Sequence, residues 1–167
     1  MNNRKSEILK QLSATPITAN ILADLFGVSR QVIVGDIAIL RASGNDIIST
    51  PKGYMLNEKI ENDNNYYTIT CNHSMENLEN ELYTIIDNGG MIIDVLIEHG
   101  VYGQIQCPLY LRSRFDCDQF IEKIGQENAK PLCSLTNGVH MHTISCPNDE
   151  CYGRIAEKLK KLQILID

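Results

Sequence analysis

The chain has 167 residues, 43% of them hydrophobic, and a formal net charge of −6, enough for one compact domain or for a small module joined to a second domain of about 100 residues. It contains neither an N-terminal apolar run of the signal-peptide kind nor a stretch of roughly 18 apolar residues that could span a bilayer, so a cytoplasmic location with no membrane partner is expected. Six cysteines, Cys71, Cys107, Cys117, Cys133, Cys146 and Cys151, occur without a CxxC pair, which argues against a zinc ribbon or redox motif and leaves them as free thiols, mainly in the core.

The apolar residues Ile8, Leu9 and Leu12 fall at helical spacing ahead of Pro16, which ends a first helix. Thr18 stands as an N-cap before a second helix, Ala19 to Phe26, with Ile21, Leu22 and Leu25 expected on one face, and Gly27-Val28 makes a tight turn. Ser29 caps a third helix from about Arg30 to Ala42, whose inward stripe is expected to be Val32, Ile33, Ile37 and Leu40. That spacing is helix-turn-helix, with the third helix placed for DNA recognition. Two short strands, Asp46 to Thr50 and Gly53 to Asn57, flank Pro51-Lys52-Gly53 turn chemistry and form a wing. Ser29, Arg30, Gln31, Arg41 and Lys52 are the candidate DNA contacts.

The net charge becomes informative when divided. Residues 1–57 hold six cations (Arg4, Lys5, Lys10, Arg30, Arg41, Lys52) against four acids (Glu7, Asp24, Asp36, Asp46). A mildly basic head on an acidic body suits DNA contact through the head alone, because phosphate neutralisation depends on local charge.

The polar segment 58–65 reads as a linker, which divides the chain into domains 1–57 and 66–167. In the second domain a strand is expected over Tyr66 to Cys71. A helix follows, opened by Ser74, carrying Leu78, Leu82, Ile85 and Ile86 and stopped at Asn88-Gly89-Gly90. Strands Met91 to Glu98 and Ile105 to Leu111, a helix Asp116 to Gly125, a strand Val139 to Ser145 and an amphipathic helix Asn148 to Ile166, with Ile155, Leu159 and Leu162 inward, complete it. The order βαββαβα implies an α+β layer with helices on one face of a sheet.

All four histidines lie in this domain. His140 and His142 alternate on a strand, so their imidazoles share a face roughly 6.5–7 Å apart and can converge on one ion; an exposed polar strand face is the structural alternative. His73 stands at the strand-to-helix junction, where a side chain can fold across the sheet end. Glu81 could add an oxygen, with Glu76 and Glu79 as rivals on spacing, and Cys71 precedes His73 by two residues. Such a mixture suits a divalent nickel, zinc, iron or manganese ion. His99 and Tyr102 lie in a turn between two strands, and Arg112 and Arg114 end the second of these strands, where a guanidinium could grip a carboxylate bidentately. No Ser/His/Asp order, phosphate-binding glycine loop or His-Glu-x-x-His helix is present, so an enzyme is not expected.

At this point the chain resembles a known family, the niacin-responsive NiaR repressors, built from a winged helix and a three-histidine (3H) domain. In the head the resemblance rests on Val28-Ser29-Arg30-Gln31-Val32-Ile33-Val34, Asp36-Ile37-Ala38, Leu40-Arg41-Ala42 and Gly53-Tyr54. The second domain is more specific: Glu81-Leu82, Ile86-Asp87-Asn88-Gly89-Gly90, Asp94-Val95, Glu98-His99, Val101-Tyr102-Gly103, and the run from Pro131 through Asn137-Gly138-Val139-His140-Met141-His142 to Ile144. The resemblance implies His73, Glu81, His140 and His142 as ligands of one divalent transition metal per chain, and an HPr-like open-sandwich fold. It also implies a homodimer that represses genes of NAD biosynthesis and niacin uptake on double-stranded operator DNA, with nicotinate as co-repressor. His99, Tyr102, Arg112 and Arg114 are the candidates for holding that effector. The rivals are a metal-responsive regulator with no organic effector and a metal-dependent enzyme fused to a DNA-binding head. Gly35 and Gly100 depart from the family pattern; the first costs the recognition helix about 1 kcal/mol of propensity.

Overall fold

A computed structural model of the chain describes residues 3–57 and 64–166. Its contacts divide the chain into two compact units, Met1–Glu61 and Asn62–Asp167. Of the expected linker, 58–63 lies outside the described residues, and Asn65 already belongs to a strand.

The first unit packs α1 (Asn3–Gln11), α2 (Ala19–Phe26) and α3 (Arg30–Ala42) with the hairpin β1 (Ile47–Thr50) and β2 (Gly53–Leu56). Thr18 Oγ1 accepts the Ile21 N–H and Ser29 Oγ the Val32 N–H, each satisfying an orphan donor at a helix start. Gly27 closes α2 in the left-handed conformation that begins the turn. Ile8, Leu22, Ile33, Ile37, Leu40 and Ile47 are buried together. Ile21 and Leu25 depart from the expectation: they are exposed, as is Val32 to a lesser degree. The inward face of α2 is Ala19, Leu22 and Ala23, so a stripe drawn through every large residue spans more of the helix circumference than the core can cover. Ile17 and Tyr54 exchange backbone hydrogen bonds of 2.9 and 2.8 Å, an isolated antiparallel bridge that fastens the segment before α2 to the wing. Gly53 permits this approach, since a Cβ there would stand 2.3 Å from the Ile17 carbonyl oxygen.

The second unit runs β3 (Asn65–Asn72), α4 (Leu78–Asp87), β4 (Met91–His99), β5 (Gly103–Leu111), α5 (Arg114–Gln126), β6 (Val139–Cys146), α6 (Asp149–Lys161) and β7 (Leu165–Ile166). The strands form one antiparallel sheet in the order β5-β4-β6-β3-β7. Leu82, Ile85, Cys117, Ile155 and Leu159 from the three helices share a core with Ile69, Cys71, Leu109, Leu111 and Ile144 from the sheet. The helices therefore cover one sheet face, and the fold is α+β.

Three details differ from the sequence reading. The final helix ends at Lys161 and the chain returns as β7, pairing Thr70 with Ile166 and Cys71 with Leu165; Leu162 is exposed. Helical periodicity in the last residues fits a short edge strand equally well, and the β3 edge supplies the partner. Ser113 caps α5, so Arg114 is the first residue of a helix rather than the end of a strand. A 3₁₀ turn, Met75–Asn77, precedes α4, and another, Leu132–Thr136, leads into β6. Among the described residues no helix is long and apolar enough to cross a membrane.

Candidate metal centre and DNA-binding head

The β3–β6 register sets Cys71 opposite His140 and Ile69 opposite His142. Alternation then carries one face of β6 from Cys146 and Ile144, in the apolar core, to His142 and His140 at its end. His73 arrives on the same face of β3, two residues after Cys71. Above them α4 buries Leu78, Glu81, Leu82 and Ile85, so a carboxylate occupies the inward stripe of an amphipathic helix.

The side chains of His73, Glu81, His140 and His142 are 1, 0, 2 and 3% exposed. Glu81 Oε2 lies 2.7 Å from His73 Nε2 and 3.5 Å from His142 Nε2, while Oε1 lies 3.0 Å from His140 Nε2. Each imidazole is fixed from behind. His73 Nδ1 is 2.8 Å from the Ser74 carbonyl oxygen, His140 Nδ1 2.9 Å from that of Gly138, and His142 Nδ1 2.6 Å from that of Asp94. A carbonyl only accepts, so each Nδ1 carries a proton, and in the neutral ring each Nε2 presents a lone pair toward Glu81. Main-chain partners of this kind are what orient metal-ligating histidines.

Four acceptor groups thus face one another out of water. A buried carboxylate is costly unless a cation or strong donors meet it, and His142 Nε2 has no hydrogen-bond partner. The donor set fits a divalent transition ion through three imidazole nitrogens and one carboxylate. Without such an ion, protons substitute. Burial alone would raise the Glu81 carboxyl, but the charge of His142 and hydrogen bonds from His140 and His73 hold it well below its usual range. His73 and His142 are pulled down by burial, which the hydrogen bond and charge of Glu81 outweigh, so both rise above 6.5. Burial and then the charge of Glu81 push the Cys71 thiol upward.

Residues to which the sequence alone assigns no role at the site complete the frame. The β4–β6 register shifts between Ile92 and Leu96, and there Asp94 Oδ1 accepts the Thr143 N–H at 2.9 Å, standing in for a ladder carbonyl. The Asp94 main-chain oxygen is thereby freed for His142. One acid inside the apolar run Met91 to Ile97 was the available signal. Gly138, at φ +95°, leaves no room for a side chain, since a Cβ would stand 2.5 Å from the His73 carbonyl oxygen.

The rivals Glu76 and Glu79 are exposed and outside the cluster. The four effector candidates are not brought together. His99 Nδ1 accepts the N–H groups of Val101 and Tyr102, closing the turn after β4, with Tyr102 itself exposed. Arg112 and Arg114 follow the other end of β5; at about 3.4 Å per residue the two pairs are separated by roughly 27 Å. Arg114 forms a bidentate pair with Asp87, its Nε 2.7 Å from Oδ1, and lies 4.2 Å over the Tyr83 ring. A cavity of about 560 Å³ borders His73, lined also by Ser74, Met75, Pro131, Ser134 and Asn137.

In the head, Arg30 and Gln31 stand exposed in the first turn of α3, behind Ser29 as N-cap. Arg41 is engaged within the fold: Nε donates to the Ile47 carbonyl at 2.8 Å and Nη2 to Ser49 Oγ at 2.6 Å, tying α3 to the wing. Gly35 is exposed and a Cβ there would meet nothing, so packing does not account for it.

A winged-helix head joined to a domain with three buried imidazoles converging on a carboxylate defines a DNA-binding transcription regulator. The comparisons give the family. The 3H domain family matches residues 67–167 and a helix-turn-helix domain family matches 4–55. The chain is 38% identical to the probable transcription repressor NiaR of Thermotoga maritima, over 93% of this chain and 87% of that protein. It is also 38% identical to the transcription repressor NadR of Bacillus subtilis, over 98% of this chain and 93% of that protein. The chain belongs to the NiaR-type repressors, with a helix-turn-helix head and a 3H domain.

Proposed function

We propose that this protein is a cytoplasmic, homodimeric, niacin-responsive repressor of genes for NAD biosynthesis and niacin uptake, with nicotinate acting as co-repressor at a metal held by His73, Glu81, His140 and His142. The observation that carries the metal reading is the buried convergence of three Nε2 atoms on Glu81, each backed by a carbonyl at Nδ1. When bound, a divalent ion supplies positive charge and a coordination position that an aromatic nitrogen can fill. The cavity beside His73 supports an entry for the effector. Its Met75 and Pro131 suit a flat ring, and Ser74, Ser134 and Asn137 offer neutral donors to a carboxylate.

In the head, Arg30 and Gln31 meet base edges or phosphates, Ser29 holds the helix start, and Lys52 on the wing meets the backbone. Two heads reach successive major grooves about 34 Å apart, or a multiple of it. A coupling of about 1–3 kcal/mol between effector and DNA gives a roughly 5- to 150-fold change in operator affinity. Calorimetric titration of metal-loaded and metal-stripped protein with nicotinate and nicotinamide, paired with operator binding, tests this. The expected ranking is nicotinate above nicotinamide, both metal-dependent, with nicotinate tightening operator binding; an equal response without metal overturns it.

One observation favours a second reading, a regulator for which the ion is itself the signal: none of the four side chains is more than 3% exposed. Operator binding that responds fully to metal with no nicotinate present selects that reading.

A further inference from the structure

We propose that Cys71 is a fifth protein donor to the ion held by this cluster, entering as a thiolate; the proposal rests on the metal reading above. Cys71 is the register partner of His140, so the two side chains leave the same face of adjacent strands, and it is fully buried. Its Sγ, a Glu81 oxygen and a His140 ring nitrogen all lie within 4.8 Å of one another, the one such trio of His, Cys, Asp or Glu donors among the described residues. His73 and His142 approach Glu81 from outside that trio, and the unpartnered, buried Nε2 of His142 is 3.5 Å from the same carboxylate. An ion bonded at ~2.3 Å to sulfur and ~2.1 Å to nitrogen or oxygen holds ligand atoms up to about 4.4 Å apart, so a shift of a few tenths of an ångström brings the trio into range.

Charge balance points the same way. A divalent ion with the Glu81 carboxylate and three neutral imidazoles leaves one positive charge among buried side chains, and a thiolate cancels it. In the ligation step the Cys71 S–H bond breaks, a sulfur lone pair forms the metal–sulfur bond, the proton passes to solvent, and no electrons change hands. The consequence is selectivity. A sulfur donor favours zinc, cobalt or nickel over manganese and magnesium, for which oxygen donors suffice.

Cobalt(II) titration of the full-length chain tests this, with bound cobalt measured by equilibrium dialysis and absorbance recorded in parallel. One equivalent is expected to raise a near-ultraviolet sulfur-to-cobalt charge-transfer band, lost in Cys71→Ser and retained in Cys133→Ser, a second buried thiol whose environment includes Glu81. Cadmium NMR of the unmodified chain provides a readout needing no variant, since a thiolate ligand moves the resonance strongly downfield. Stoichiometric cobalt binding without the band, or a band that survives Cys71→Ser, overturns the proposal while leaving the metal reading intact. Failure to bind cobalt in dialysis defeats both.

Discussion

Replacing His140 by Ala removes an imidazole whose two nitrogens link the Gly138 carbonyl to Glu81. Losing a supporting partner behind a ligand weakens metal binding by about 10- to 100-fold, so losing the ligand itself belongs at the upper end or beyond. At a free-ion concentration of about 100 Kd the wild-type fold gains ~2.7 kcal/mol, and a 100-fold weaker site keeps only about 0.4 kcal/mol at the same concentration. With roughly 4–8 °C per kcal/mol for a domain of ~100 residues, the metal-induced rise in Tm shrinks by about 9–18 °C. Tyrosine fluorescence follows this melt, because six of the seven tyrosines lie beyond residue 62 and there is no tryptophan. The variant is also expected to lose the nicotinate response on operator DNA while retaining weak effector-free binding. A His140→Ala chain that keeps the wild-type metal-induced rise refutes the assignment of His140 as a ligand.

The pH dependence is expected to change sign with the metal. In chelator-treated protein the raised His73 and His142 contribute stability that is full below 6.5 and lost as pH rises through their folded values, whereas the lowered Glu81 contributes above 4.5 and fades as pH falls through its own. Urea melts should therefore show the stripped second unit more stable at pH 5.5 than at pH 8, and the metal-loaded protein the reverse. Gly138→Ala is expected to cost about 1–3 kcal/mol from its left-handed backbone alone, with the clash on the His73 carbonyl added, and to lower metal content measured by elemental analysis. Gln31→Ala should weaken specific operator binding by about 1–3 kcal/mol while Lys52→Ala weakens all sequences alike; unchanged footprinting in an Arg30→Ala, Gln31→Ala double variant discards the recognition assignment. Arg114→Gln should leave nicotinate binding unchanged in calorimetry, because that guanidinium already serves Asp87.

The parts of this fold that could be read from the sequence are those fixed by local rules. Thr18 and Ser29 mark helix starts because their side-chain oxygens cap at short range, and His140 and His142 share a face because strand alternation is a fixed period of two. Choosing among Glu76, Glu79 and Glu81 needs the phase of α4, and the 3₁₀ turn Met75–Asn77 resets that phase in a way that spacing alone does not register. The role of the Asp94 carbonyl depends on a register shift between two strands nearly fifty positions apart, and β7 depends on an open edge at β3. Arg41 shows the converse: a basic residue in the last turn of the recognition helix reads as a DNA contact, and only the folded wing reveals that its guanidinium also holds Ile47 and Ser49.

Glu81 and His140 stand 59 positions apart in the chain, and Asp94 and His142 stand 48 apart. An ion gripping Glu81 and His140 would close the first of these loops, as a crosslink would, and the entropy so removed from the unfolded chain grows slowly with loop length. Under the proposed function, occupancy of the site would therefore set the lifetime of the folded 3H domain as well as its signalling state. Metal-starved cells would hold this repressor in a form that opens more often, and proteases would clear it faster than its loaded counterpart.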